Sequence, residues 1–421
     1  MVSRAGRGAV LLAFMLVAAC RPPSSAVGPE PGPGPPAAEP AVDRPGAAPP
    51  PAAPALARLP AGELPDLSGA VGGDRASLVE ALDRSLSWFG KPSSREYFPL
   101  GDITHARAWA SVYAFRELVV QSGDGAELER RIESEFDFFS SLGSDGGGTM
   151  LFTGYYSPTF PGSRARTAEY RYPLYRMPDD LVEDPATGEV TARRVGDRIV
   201  PYPTRAEIEE SGMLAGRELV WLRDSFDAYL IHVQGSAALS LPDGSVLYVG
   251  YAGNNGREYV SVALQLVEDG RLPKDQLSLD EVRAYFDSHP EDLDRYLRRN
   301  PRFIFFLEAD GSNWPLGSLG VPVTPLRSIA ADRELFPPGG VTLVVTHAID
   351  AEGRTRRFER FMLDQDSGGA IRSAGRADIY FGIGREAEKR AGGEYFEGSL
   401  YYLFLKPERV GTWLEQAGLD F

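Results

Sequence analysis

Apolar residues recur at three- and four-residue spacing over 76–89, 106–121 and 126–142, the period of helices that bury one face. From residue 150 the pattern changes. Met150-Leu-Phe-Thr-Gly-Tyr-Tyr156 reads as a strand ended by Ser157-Pro158, and 170–176 reads as another. Segments 228–234 and 246–251 are apolar and rich in β-formers, with a Pro242-Asp243-Gly244 turn between them. Further strands are predicted at 303–308, 341–348, 357–363 and 400–405, and an amphipathic helix at 256–269. Thr204 with Glu207, and Ser278 with Glu281, have the spacing of helix capping boxes. No unit of 20 to 50 residues recurs, which argues against a solenoid. The pattern predicts an α+β protein, mostly β after residue 150.

The beginning of the chain is different. Arg4 and Arg7 precede a short apolar run at 9–16, and Val17-Ala18-Ala19-Cys20 closes it. The run is too short to span a bilayer as a helix, and small residues before a cysteine resemble the lipobox of bacterial lipoproteins. A leader at 1–20 with lipid attachment at Cys20 is expected, and an acylated cysteine anchors stably. Arg21 follows, not the Asp that favours inner-membrane retention, so the expected leaflet is the periplasmic face of the outer membrane. Residues 21–65 hold 15 of the 34 prolines and read as a disordered, extended linker.

Composition narrows the chemistry. The 421 residues are 43% hydrophobic and 10% aromatic, enough for about two folded domains. A formal charge of −15 excludes nucleic acid as the main partner, since phosphate binding needs a basic face. One cysteine excludes a disulfide framework, and four scattered histidines (His105, His232, His289, His347) offer no paired metal spacing. No metal and no cofactor are expected.

Candidate chemistry clusters in the last third. Asp366-Ser-Gly-Gly follows a predicted strand, and Arg376-Ala-Asp378-Ile-Tyr-Phe-Gly-Ile-Gly384 follows it closely. In a strand, Asp378 and Tyr380 share one face and Ile379 and Phe381 the other. A carboxyl group in partly apolar surroundings can keep its proton near neutral pH and act as an acid; a strand-start Asp bonded to nearby backbone is the plainer reading of Asp378. Asp before Ser-Gly-Gly is ordinary turn chemistry for Asp366. Gly382-Ile-Gly384 is half of a dinucleotide fingerprint without its βαβ unit, and is set aside. The aromatic segments 152–158 and 170–175, with amides in Ile231-His-Val-Gln-Gly-Ser236 and Tyr251-Ala-Gly-Asn-Asn-Gly256, suit a saccharide site, but half-buried strands are the plainer reading of the tyrosines and the amides suit turns as well.

Taken in order, these segments resemble the membrane-bound lytic transglycosylase A family. The resemblance rests on Phe152-Thr-Gly-Tyr-Tyr-Ser-Pro158, Tyr172-Pro-Leu-Tyr-Arg-Met-Pro178, Val233-Gln-Gly-Ser236, Tyr251 to Gly256, Asn300-Pro-Arg-Phe-Ile-Phe-Phe306, Arg327-Ser-Ile-Ala-Ala-Asp-Arg333 and Asp366 to Gly384. It implies a double-psi β-barrel at 66–157 and 301–421, with an inserted β domain at 158–300 and a glycan groove between them. It implies cleavage of the β-1,4 bond between N-acetylmuramic acid and N-acetylglucosamine without water, leaving 1,6-anhydromuramic ends. On this resemblance Asp378 is the catalytic acid and then base, Asp366 supports it, and Thr153, Tyr155, Tyr156 and Gln234 bind the sugar. Peptidoglycan glycan strands and the outer membrane, through Cys20, are the implied partners. Ser157, Ser367 and Arg376-Ala377 depart from the commoner family pattern, and Arg376 would favour an ionised Asp378 if it came near. A hydrolytic muramidase would need a second carboxylate, with Asp364, Asp366 and Glu386 as candidates. A wall-binding lipoprotein without turnover is the third expectation.

Overall fold

The computed structural model describes residues 55–60, 62–183, 190–273, 279–369 and 371–419. The expected leader, Cys20 and the proline-rich segment up to residue 54 lie outside these, as does Ser278 of the second capping box.

The fold begins with β1 (Leu56–Arg58), which corrects the expected linker to residue 65: Leu56, Ala57 and Arg58 pair antiparallel with Ser141, Ser140 and Phe139. Helices α1 (Ser68–Val71), α2 (Arg75–Phe89), α3 (His105–Gln121) and α4 (Gly125–Glu135) follow. Side chains of Asp74, Thr104 and Asp124 cap the last three by accepting from first-turn N–H groups. The helix predicted to run to 142 stops at Glu135. There the chain extends into β2 (Phe136–Ser141), because Phe136 and Phe138 bury on one side and Phe139 on the other, against the last strand of the fold.

Strand β3 (Met150–Ser157) leads through Pro158 into the inserted part. In chain order this contains β4 (Thr159–Ser163), β5 (Tyr172–Tyr175), β6 (Leu181–Glu183), β7 (Val190–Val195), β8 (Arg198–Val200), α5 (Arg205–Ser211) and β9 (Glu218–Leu222). It continues with α6 (Ser225–Gln234), β10 (Ala237–Ser240), β11 (Val246–Asn254), α7 (Val262–Glu268), α8 (Leu279–Ser288), α9 (Pro290–Leu297) and β12 (Ile304–Ala309). Six of these strands form one sheet in the order β12-β11-β10-β4-β9-β5, and β6-β7-β8 form a small separate one. Because β12 pairs with β11, the return expected at residue 301 comes only after this strand.

Two expectations fail inside the insert. Segment 228–234 is helical, not extended: Asp224 accepts from the N–H of Phe226 and Asp227, Gly235 closes the helix at φ 78°, and the run is buried on nearly every side, which hides its period. The helix predicted at 256–269 is only α7, started by the Ser261 side chain. The Thr204/Glu207 capping box is present at α5.

The chain returns with β13 (Ser328–Ala330), β14 (Val341–Ile349), β15 (Thr355–Asp366), β16 (Arg376–Ile383), α10 (Gly384–Gly392), β17 (Tyr395–Leu405) and α11 (Pro407–Ala417). The order β17-β14-β15-β13-β16-β3, with a further β17–β3 pairing, is a closed six-stranded barrel, and β2 and β1 extend from β17. Two pairs in the ring, β13–β15 and β16–β3, are parallel. Phe361, Met362, Leu363, Leu403 and Phe404 are fully buried in the main hydrophobic core, which the two faces of these strands share with the helices packed on them, and Phe115 of α3 stands edge-on to Phe361 at 5.0 Å. Among the described residues no helix is long and apolar enough to cross a membrane.

Buried polar groups pin the helices to the barrel. Arg107 of α3 reaches the Leu405 carbonyl (2.9 Å) and Asp137 (3.1 Å), and Asp137 also takes Arg58 (2.6 Å). Arg327, 1% exposed, donates to the Phe361 carbonyl, the Ser77 hydroxyl and the Asp74 carbonyl. Gln365, fully buried beside Asp366, is satisfied by Ala81, Ser85 and Ser328. Helix α10 packs so tightly on β3 that a Cβ on Gly154 would stand 2.6 Å from the Cα of Ala391. Gly154→Ala should therefore cost about 1–3 kcal/mol by overpacking; an unchanged denaturation midpoint would mean that α10 slides without penalty.

Candidate active site

The parallel pair β16–β3 sets Asp378 beside Thr153 and Tyr380 beside Tyr155, so alternate residues of both strands share one face. Arg376, two residues before Asp378, lies on that face too. Its Nε donates to one oxygen of Asp378 at 3.0 Å, and one terminal nitrogen donates to the other at 3.2 Å and to the Thr153 hydroxyl at 3.0 Å. The Thr153 hydroxyl in turn donates to Asp378 in a short contact. Arg376, Asp378 and Thr153 are 7%, 6% and 2% exposed, so this is a two-point charge-assisted clamp largely out of water.

Asp366 ends β15, where a bulge against β13 turns the strand. Its carboxylate accepts from the backbone N–H of Ser318 and Ser367, both at 2.8 Å. Burial pushes Asp366 up to about 6 in spite of those donors, and the nearby negative charge of Asp378 acts in the same direction. The Tyr155 ring packs on Tyr380 at 5.0 Å, with its hydroxyl enclosed beside Asp366; burial, then that carboxylate, raises its phenol well above the ordinary value. Tyr380 shares a hydrogen bond with Ser157 (3.1 Å), and Ser157 shares another with Ser236 (3.0 Å). That chain joins the barrel to the loop after α6.

The other expected site residues divide. Gln234, last in α6, accepts from the Tyr156 N–H through its carbonyl at 3.4 Å. Tyr156 itself is 4% exposed on the opposite face of β3, where α10 packs, near Glu388, Arg283 and Asp227. It lies three positions, an odd number, beyond Thr153, the partner of Asp378, so it is not brought to the site. Asn255 is a buried structural amide holding Pro203, Pro301 and Phe303 by their backbone. Asp364 is buried against the Tyr402 hydroxyl (2.7 Å), and exposed Glu386 pairs with Lys389. Of the three candidates for a second carboxylate, Asp366 is the one that feels the charge of Asp378.

Two residues not singled out from the sequence also meet this region. Arg302, after α9, lies across the Ser367-Gly-Gly turn: a Cβ on Gly369 would come within 2.9 Å of its guanidinium carbon. Tyr259 lies within reach of the Arg376 charge; burial raises its phenol, and Arg376 opposes that rise. Both belong to the insert and come close only through the tertiary fold. Among the described residues no group of three or more His, Cys, Asp or Glu side chains could hold a metal.

Burial moves Asp364 from 3.8 to about 8. The folded protein therefore binds this proton more tightly than the unfolded chain does. Its contribution to stability is complete below pH 3.8 and is lost as pH rises to about 8. Asp364→Asn cannot ionise, so its melting temperature relative to wild type should climb between pH 5 and pH 9. A constant difference over that range would contradict the assignment.

Comparison with known proteins follows the same division of the chain. Residues 151–307 match the MltA specific insert domain and residues 327–404 match the 3D domain. The chain is 32% identical to the membrane-bound lytic murein transglycosylase A of Escherichia coli K12 over 288 residues, 67% of this chain and 73% of the relative. A crystal structure of a membrane-bound lytic murein transglycosylase from Agrobacterium tumefaciens superposes with a TM-score of 0.68 at 26% identity, covering 85% of this chain and 99% of that one. The structure of E. coli MltA with bound chitohexaose superposes with a TM-score of 0.65 at 27% identity, covering 84% and 95%.

Proposed function

Belonging to the membrane-bound lytic murein transglycosylase A family, this chain is an enzyme that cleaves peptidoglycan, and we propose that it does so without water, through Asp378. The observation that carries the reading is the enclosed Asp378 carboxyl group, held at both oxygens where the barrel meets the insert.

In this mechanism protonated Asp378 gives its proton to the glycosidic oxygen between N-acetylmuramic acid and N-acetylglucosamine. The C1–O bond breaks and the N-acetylglucosamine leaves as an alcohol. The Asp378 carboxylate then takes the proton of the muramic C6 hydroxyl while its oxygen bonds to C1, closing the 1,6-anhydro ring and restoring the acid. The attacking hydroxyl is part of the substrate, so its effective concentration replaces that of water. The clamp places a condition on the first step: with Arg376 forked onto it, Asp378 is a charge-balanced ion pair, and acid chemistry requires the guanidinium to withdraw. An entering glycan offers amide carbonyls that can accept the released donors.

Thr153 aims the carboxyl group, Asp366 tunes the field beside it, and Tyr155 and Gln234 line the approach. The six-stranded sheet and its helices serve as the second wall of a glycan groove. Membrane association accords with the names of the relatives, and we assign it to acylation of Cys20, with the body held on the periplasmic face of the outer membrane.

Proximity of Asp366 to Asp378 favours one second reading, a hydrolase that uses two carboxylates. Isolated sacculi decide between them. Muropeptides one water lighter than their reducing counterparts are expected from the wild-type protein, whereas reducing ends would turn the assignment to hydrolysis. Asp378→Asn, checked for wild-type circular dichroism because Arg376 loses its counter-charge, should lose about 10²–10⁴-fold in release of fragments. Full activity in that variant would remove Asp378 from the chemistry.

A further inference from the structure

At the opposite end of β15 from Asp366 the barrel carries a cavity of about 330 Å³, between the β14–β15 turn, α1 and the end of α10. Arg360 lies six residues before Asp366 in the strand, or about 20 Å along it at 3.3 Å per residue. The cavity is lined by Arg356, Arg357, Arg360 and Arg390, together with Asp350 and Glu359. Its acids are already engaged. Asp350 takes Arg354 (3.1 Å) and Arg356 (3.3 Å), and Glu359 takes Arg357 in a short contact.

Two guanidinium groups are left over. Among the described residues no carboxylate pairs with Arg360 or Arg390. Arg360 lies over the Phe358 ring at 5.3 Å, and Arg390 over the Phe381 ring at 5.1 Å, with its Nε spent on the Ile349 carbonyl. Both are half-buried. Burial lowers each below the ordinary guanidinium value, and the charge of Arg390 adds to the effect on Arg360. Asp74 acts on Arg360 only through space, its carboxylate being committed to capping α2. Fully buried Glu394 approaches Arg390, but burial pushes it to about 8, so near neutral pH it is mostly uncharged. Asp350 and Glu352 act on Arg390 only through space, both being paired with Arg354. Two half-buried guanidinium groups without a paired carboxylate, lining one cavity, are an expensive arrangement unless they serve an anion.

We propose that this cavity binds a phosphate-class oxyanion between Arg360 and Arg390. Two planar guanidinium groups offer forked donors suited to phosphate oxygens, and two uncompensated charges match a dianion. The shared chemistry comes from two sources, soluble phosphate or the headgroup of an acidic lipid. The site is separate from the wall-cleaving centre and does not depend on the mechanism assigned there.

The test uses the full chain carrying Cys20→Ala, titrated with inorganic phosphate against sodium chloride at matched ionic strength. A saturable rise in melting temperature is expected with phosphate only, and it should vanish in Arg360→Gln. Without phosphate, Arg360→Gln should melt within a few degrees of its parent, because the charge removed has no carboxylate partner and loses only the Phe358 ring contact, and its release of fragments from sacculi should be unchanged. Arg390→Gln provides a second variant, with Arg360→Gln sufficient should loss of the Ile349 contact unfold it. Sedimentation with phosphatidylcholine vesicles containing phosphatidic acid, compared with phosphatidylcholine alone, separates the sources. Arg360-dependent sedimentation assigns the site to a lipid headgroup, and thermal protection without sedimentation assigns it to soluble phosphate. Neither effect, or equal effects in parent and Arg360→Gln, would overturn the proposal.

Discussion

Closure of the barrel rests on one strand that serves three neighbours. The first residues of β17 pair with β3, its middle with β14 and its end with β2. A strand in an open sheet has two partners; β17 accommodates a third because its eleven residues outrun each of them. The proposed catalytic geometry depends on that arrangement. β3 is held from one side by β17 and from the other by β16, so Thr153 and Asp378 meet as adjacent rungs with no freedom to slip. Slipping by one residue would turn every one of these side chains to the other face.

The same closure explains how so many acids are kept indoors. Asp364, Asp366 and Glu394 lie at the edges of the ring, each raised by burial and each held by a specific donor: the Tyr402 hydroxyl, the Ser318 and Ser367 amides, the Ile349 amide. Asp378 is the one paired with a full positive charge inside the ring, through Arg376. Burial alone favours the neutral acid, and a guanidinium favours the anion. In the proposed mechanism the residue must be both in one turnover, and a partner that a substrate can draw away would serve that.

Much of this was legible before the structure because it is local. Period-two alternation already set Asp378 and Tyr380 on one face; the approach of Arg376, left open in the sequence, obeys the same alternation. That rule also separates Tyr156 from Thr153 and Tyr155, and the family resemblance alone had grouped them. Helix α6 had cap signals at Asp224 and Gly235, which its uniformly apolar body outweighed. The end of α4 was not legible: Ile132, Phe136 and Phe139 continue a helical spacing, and only pairing with β17, more than 260 residues later, draws the chain into a strand. Arg302 and Tyr259 carry no local mark of their place near the site. Nor does the barrel's closure appear in any window of sequence, since β3 and β17 are joined across the whole insert.

The short strand β1 has a mechanical consequence. It is the first described element that the chain enters, it lies at the sheet edge beyond β2, and it is not part of the ring. Any pull transmitted from upstream residues reaches the fold there, across three paired residues, two flanking backbone bonds (Leu59 to Phe138 and Leu142 to Ala55) and the Arg58–Asp137 contact. Each bond is worth only about 0.5–1.5 kcal/mol. Under load β1 should peel first and release a few residues of chain, leaving the six closed strands and the Asp378 clamp untouched: the enzyme body is fitted with a weak link outside its barrel.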